Sequence, residues 1–135
     1  MSSGTILVID DDPGVRKVAV LRLEREGYRV LAAADGEEGV SLAKAEHPDV
    51  VLLDILMPRM DGREVLRRLK GDPATHAIPI ILLTVIEAHD EAREPIGPGY
   101  ADWLSKPYNP DHLLQKVQAA MTRTPEAGNA PGLVQ

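Results

Sequence analysis

Residues 6–33 read ILVIDDDPGVRKVAVLRLEREGYRVLAA, and this stretch decides the architecture. Ile6 to Ile9 is wholly apolar and stops at three aspartates, Asp10, Asp11 and Asp12, while Tyr28 to Ala33 is a second, nearly apolar run. Strands covered on both faces read this way, because neither face meets water. Between them, Pro13 to Glu26 is expected to be a helix. Asp12 serves as its N-cap, Pro13 takes the first position, where a missing N–H costs nothing, and Gly27 ends it. Its apolar stripe is Val15, Val18, Ala19 and Leu23. Arg22 falls in the same arc, so its long stem must snorkel or sit near an edge. Strand, helix and strand in this order form a right-handed crossover unit of a parallel sheet.

The rhythm continues along the chain. Val50 to Leu53 and Ile78 to Leu83 are further apolar runs, and Ala101 to Leu104 is a weaker fifth that follows the same spacing. Helices are expected at Glu37 to Glu46, at Arg63 to Lys70 with Val65, Leu66 and Leu69 inward, and at Asp111 to Met121. The last is announced by Asn109 and Pro110, a cap followed by a first-turn proline. Five parallel strands with helices on both faces make a three-layer α/β sandwich. No internal repeat is present. From Thr124 the tail TPEAGNAPGLVQ has no periodicity and is expected to be disordered, so residues 1–122 are read as the domain and 123–135 as a tail or linker.

Composition narrows the function classes. The 135 residues suit one domain, and 44% apolar with 27% charged residues is an ordinary globular balance. The absence of cysteine excludes disulfides, thiolate metal sites and cysteine nucleophiles. A net charge of -6, with basic residues scattered among acidic ones, disfavours direct nucleic-acid binding. No signal peptide and no membrane-spanning run is visible, so a cytoplasmic location is expected.

The chemistry lies at the strand ends. Asp10, Asp11 and Asp12 close the first strand, Asp54 the third and Thr84 the fourth, and Lys106 follows the fifth. In an open parallel sheet these ends share one edge, where ligands bind. Carboxylates crowded there repel unless a cation neutralises them. Oxygen donors without histidine or cysteine favour magnesium, with Asp11 and Asp54 as direct ligands and Asp10 acting through water. A carboxylate beside such an ion can attack phosphorus in line, while a lysine and a hydroxyl hold the charge on the phosphoryl oxygens; Asp54, Lys106 and Thr84 fit those parts. His47, His76, His89 and His112 are far apart and read as solvated residues. Met57 and Met60 flank Pro58 and read as packing.

ILVIDDDP at 6–13, VVLLDILMPRMDG at 50–62, IILLT at 80–84 and DWLSKP at 102–107 together resemble the four signatures of the receiver domain of bacterial two-component response regulators, in order. The resemblance covers Thr5 to about Met121. It implies a flavodoxin-like fold with strand order 2-1-3-4-5 and a phosphorylation-dependent switch, not an enzyme acting on other substrates. By similarity, Asp10 and Asp11 are the acidic pair, Asp54 the phosphoacceptor, Thr84 the switch hydroxyl and Lys106 the phosphate-pairing lysine. The Leu56 carbonyl completes the Mg2+ shell, Trp103 takes the place of the switch aromatic, and Lys106–Pro107 is a cis peptide. The implied phosphodonor is a histidine kinase or phosphotransfer protein, with an unidentified protein target.

The chain departs from that family in three places. Val85 and Tyr100 stand where small residues are usual, and Pro95, Gly97, Pro98 and Gly99 interrupt the fourth helix, which is expected to be short or remodelled and helical only over Glu87 to Glu94. A phosphatase of the haloacid dehalogenase type would carry its nucleophile after the first strand, in a longer chain. A degenerate receiver, acting as a phosphorylation-independent interaction module, would have lost one of the site residues. Met121 leaves too few residues after it for an output domain, an expectation of a stand-alone regulator or of a piece of a longer protein.

Overall fold

The computed structural model describes residues 3–85 and 98–122. Five strands, β1 (Thr5–Ile9), β2 (Arg29–Ala33), β3 (Val50–Asp54), β4 (Ile80–Thr84) and β5 (Asp102–Ser105), form one parallel sheet in the order β2-β1-β3-β4-β5. The helices among the described residues are α1 (Pro13–Arg25), α2 (Gly36–Glu46), α3 (Gly62–Lys70) and α4 (Pro110–Met121). This is the flavodoxin-like sandwich. The expectation of a helix over Glu87 to Glu94 lies outside the described residues, as do His89 and the tail from residue 123. Pro98, Gly99 and Tyr100, which are described, belong to no helix, and Gly99 takes φ +110°.

Alternation along each strand sorts the core into two halves. Leu7, Ile9, Val51, Leu53, Ile80 and Leu82 face α2 and α3, packing on Val40, Ala43, Val65, Leu66 and Leu69. Ile6, Val8, Val50, Leu52, Ile81 and Leu83 face α1 and α4, packing on Ala19, Leu23, Leu113 and Val117. Strands β3 and β4 are buried along their full length, which is why they read as continuous apolar runs. Truncating one such leucine to alanine costs about 2–5 kcal/mol. Met57 is buried and Met60 packs against the same half, as their loop position suggested.

Local chemistry sets the helix ends. The Asp12 carboxylate accepts from the N–H groups of Gly14 and Val15, and Pro13 begins α1. After Arg25 the helix closes when the Gly27 N–H donates to the Glu24 carbonyl at 2.9 Å and the Tyr28 N–H to that of Leu23 at 3.3 Å. Gly27 takes φ +104°, a conformation natural to glycine. Arg22 resolves as an edge residue: it pairs with Glu26 at 3.2 Å and with Asp111 of α4 at 3.0 Å.

Some expectations need correction. Val18 is 49% exposed rather than inward, because α1 docks through Ala19 and Leu23 and turns its other flank to solvent. β4 begins at Ile80 rather than Ile78, since Pro79 has no N–H for the ladder and Ile78 donates instead into the preceding turn, to Thr75. β5 lies one residue later than expected. No helix among the described residues is long and apolar enough to cross a membrane.

Candidate functional site

Parallel strands bring their carboxyl ends to one edge, and the sequence places a polar residue at each end. Asp54 ends β3 and Thr84 ends β4; both are buried. Asp10, just past β1, has no solvent exposure, and Asp11 beside it is exposed. One carboxylate oxygen from each of Asp10, Asp11 and Asp54 lies within 4.8 Å of the others. Lys106 reaches in after β5. Its ammonium is 2.9 Å from Oδ2 of Asp10 and 3.4 Å from Oδ1 of Asp54, and the peptide that follows it, Lys106–Pro107, is cis.

The electrostatics follow from this crowding. Burial first, then the charge of Asp10, pushes the Asp54 carboxyl up to about 7; a hydrogen bond shared with Asp11 adds to the rise, and Lys106 opposes it. For Lys106, burial works against the charged form, but the hydrogen bond to Asp10 and the fields of Asp54 and Asp10 outweigh it, and the net direction is upward. Three carboxylates with one lysine leave excess negative charge. The donor set fits a hard, oxygen-seeking divalent ion such as magnesium, which tolerates one or two direct carboxylates and keeps some of its water.

The remaining expected residues are distributed around this centre. The Thr84 hydroxyl donates to the Val85 carbonyl at 3.0 Å. Leu56, two residues beyond Asp54, turns its side chain outward and is 49% exposed. Trp103 lies on the edge strand and is 39% exposed, its backbone N–H donating to the Asp102 carboxylate at 2.8 Å. His47, His76 and His112 stand apart from the acidic group.

Three residues at the site escaped the sequence reading. Gly62 opens α3 directly against the acceptor strand: its N–H donates to the Ile55 carbonyl at 2.8 Å, and a Cβ added there would press into the Asp54 carbonyl. Arg16 donates to the Asp10 carbonyl at 2.7 Å. Tyr108 has a buried hydroxyl that finds no hydrogen-bond partner among the described residues, and burial, then the charges of Asp10 and Asp54, pushes that phenol up to about 12. Tyr108 also lines a cavity of about 510 Å³ with Val15, Val18, Val85, Lys106 and Pro107. The signal available beforehand was position, and only for Tyr108, which stands two residues after Lys106.

A family model for the response regulator receiver domain matches residues 6–118. The chain belongs to this family. Among its relatives, Protein PilH of Pseudomonas aeruginosa is 38% identical over 116 residues, covering 86% of this chain and 96% of that protein. The DNA-binding dual master transcriptional regulator RpaA of Synechocystis is 37% identical over 119 residues, 88% of this chain and 49% of that one. The chain spans about half the length of several of the curated relatives it matches. The receiver domain of a sensor histidine kinase from Pseudomonas aeruginosa PAO1, solved with a magnesium ion coordinated in its active site cleft, superimposes with a TM-score of 0.82 at 28% identity, covering 90% of this chain and 100% of that one. Receiver domains are the phosphoacceptor switches of two-component systems, and the acidic group of this receiver domain is compatible with magnesium.

Proposed function

We propose that Asp54 accepts a phosphoryl group from a phosphohistidine of a histidine kinase or phosphotransfer protein, and that the modified domain then engages a protein target. The observation that carries the reading is the convergence of Asp54 with the carboxylates of Asp10 and Asp11 and with the ammonium of Lys106. An oxygen of Asp54 forms the bond to phosphorus as the bond from phosphorus to the imidazole nitrogen breaks, and the electron pair of that bond stays with the nitrogen. For this Asp54 must be ionised.

Asp11 and Asp54 would hold Mg2+ directly, with the Leu56 carbonyl, and Asp10 through water. The ion, when bound, neutralises charge on the phosphoryl oxygens. Lys106 already reaches Asp54 and supplies a second positive charge there. Thr84 gives up its bond to the adjacent Val85 carbonyl and turns its hydroxyl to a phosphoryl oxygen, and Trp103 answers by moving toward the space left. Residues 1–122 are taken as the receiver unit, in keeping with the family match over 6–118. The proposed compartment is the cytoplasm. The net charge of -6 favours a protein partner over direct contact with nucleic acid.

Incubation with acetyl phosphate and magnesium, followed by trapping and mass spectrometry, tests this reading. One phosphoryl group on Asp54 is expected, and an Asp54→Ala variant labelled as well as wild type would refute the assignment.

A further inference from the structure

Asp10 is held at every polar atom. Its N–H donates to the Ala33 carbonyl at 3.1 Å, and its carboxylate accepts from the Asp12 N–H and the Lys106 ammonium, each at 2.9 Å. The fourth bond comes from the first turns of α1: Arg16 Nη1 donates to the Asp10 carbonyl at 2.7 Å, the shortest of the four. A guanidinium so close to three successive aspartates would ordinarily be read as a counter-charge to their side chains. Here it is bonded to backbone instead.

That carbonyl belongs to the peptide joining Asp10 to Asp11. Because a peptide is planar, fixing its C=O also fixes where the N–H and Cα of Asp11 lie, the base from which its side chain leaves. Asp11 needs such a constraint. It is exposed, and an oxygen of its carboxylate lies within 4.8 Å of oxygens of Asp10 and Asp54, which repel it once all are ionised. Arginine suits the task, since its guanidinium stays protonated at every working pH and donates from a rigid fork.

We infer that Arg16 is a positioning residue for the cation site: by holding the Asp10–Asp11 peptide it keeps the Asp11 carboxylate within reach of those of Asp10 and Asp54. The inference rests on the proposed metal-assisted reading of the site and adds a residue that touches neither ion nor phosphoryl group.

The test is calorimetric titration of magnesium into wild type, Arg16→Met and Arg16→Lys, without phosphodonor, beside thermal melts of each protein in EDTA. Arg16→Met keeps the stem and loses the donor, and is expected to weaken magnesium binding about tenfold, as loss of a group that orients a metal ligand does. Arg16→Lys keeps a donor and is expected to recover part of the loss. Wild type that binds no magnesium would overturn the metal reading itself. Wild type and Arg16→Met binding with the same dissociation constant would leave that reading intact and overturn the role of Arg16, even if the melts differ. Equal losses in the lysine and methionine variants would also count against the carbonyl tie. If Arg16→Met does not fold, Arg16→Gln carries the same comparison.

Discussion

The Lys106 ammonium stands 2.9 Å from a carboxylate oxygen of Asp10 that has no exposure to solvent. A charge so buried is tolerated only while its partner is in place, and removing one member of such a pair leaves the other uncompensated. Lys106→Met is therefore expected to lose about 3 kcal/mol of stability without magnesium. Added magnesium is expected to raise its melting temperature more than that of wild type, because the ion then neutralises the carboxylates alone. Melts of both proteins with and without magnesium decide the matter; equal shifts would contradict it.

The Asp54 carboxyl is pushed up to about 7 from an unfolded value of 3.8. In that interval the folded metal-free protein holds a proton that the unfolded chain has released. Its contribution to stability is full below the unfolded value and is lost as pH rises through about 7. Asp54→Asn, which cannot ionise, is expected to gain on wild type as pH climbs from 4 to 8 in EDTA, by denaturant unfolding at each pH. Protons also compete with the cation, so magnesium affinity is expected to fall as pH drops below about 7. A difference between the two proteins that stays constant with pH would argue against this account.

Val85 packs against the buried half of the core facing α2 and α3 and also borders the cavity beside Lys106. Directly after Thr84 and beside Lys106, it puts apolar bulk on that side of the site, which is expected to hinder the water that would hydrolyse an acyl phosphate. The phosphorylated protein is expected to decay slowly, and Val85→Ala faster. Following the loss of the phosphoryl group by mass spectrometry compares them; an unchanged or slower decay in the variant would remove the steric argument.

Gly62 leaves no room for a side chain, since an added Cβ would press on the Asp54 carbonyl and stand 2.6 Å from the Ile55 Cα. Backbone cannot yield as a flexible side chain can. Gly62→Ala is expected to cost about 1–3 kcal/mol or somewhat more, and to slow phosphorylation because the acceptor strand end must shift. Denaturant unfolding together with acetyl phosphate labelling checks both effects, and a variant normal in each would show that the contact relaxes freely.

Trp103 is the only tryptophan, so its emission reports on β5 alone. Emission is expected to change on adding phosphodonor with magnesium, and Asp54→Ala to abolish the donor-dependent part. Thr84→Ala is expected to uncouple the signal while Asp54 is still phosphorylated. Unaltered emission and unaltered partner binding in fully phosphorylated protein would leave the switch without support.

Much of this fold could be read from runs of apolar residues. Strands buried on both faces need nothing else, so β1 and β3 were plain, and the parallel arrangement followed from the helices between them. Boundaries were less legible: Pro79 cut β4 short at its start, and Val18 kept the spacing of the buried stripe while lying on the flank α1 shows to solvent. The ionisable residues of the site declared themselves because several acids and a lysine at one sheet edge demand a common explanation. Arg16 and Gly62 did not, because each acts on a backbone carbonyl, and backbone leaves no mark in residue chemistry.

The bond between Lys106 and Asp10 joins residues 96 positions apart. Contacts of such long range form late, since a large loop must close before they bring any gain. A chain emerging from the ribosome presents Asp10, Asp11 and then Asp54 well before the lysine that holds two of them together. Order of synthesis thus puts the acids of this edge into the nascent chain ahead of their counter-charge, and the charge balance of the edge waits for the residue that follows β5.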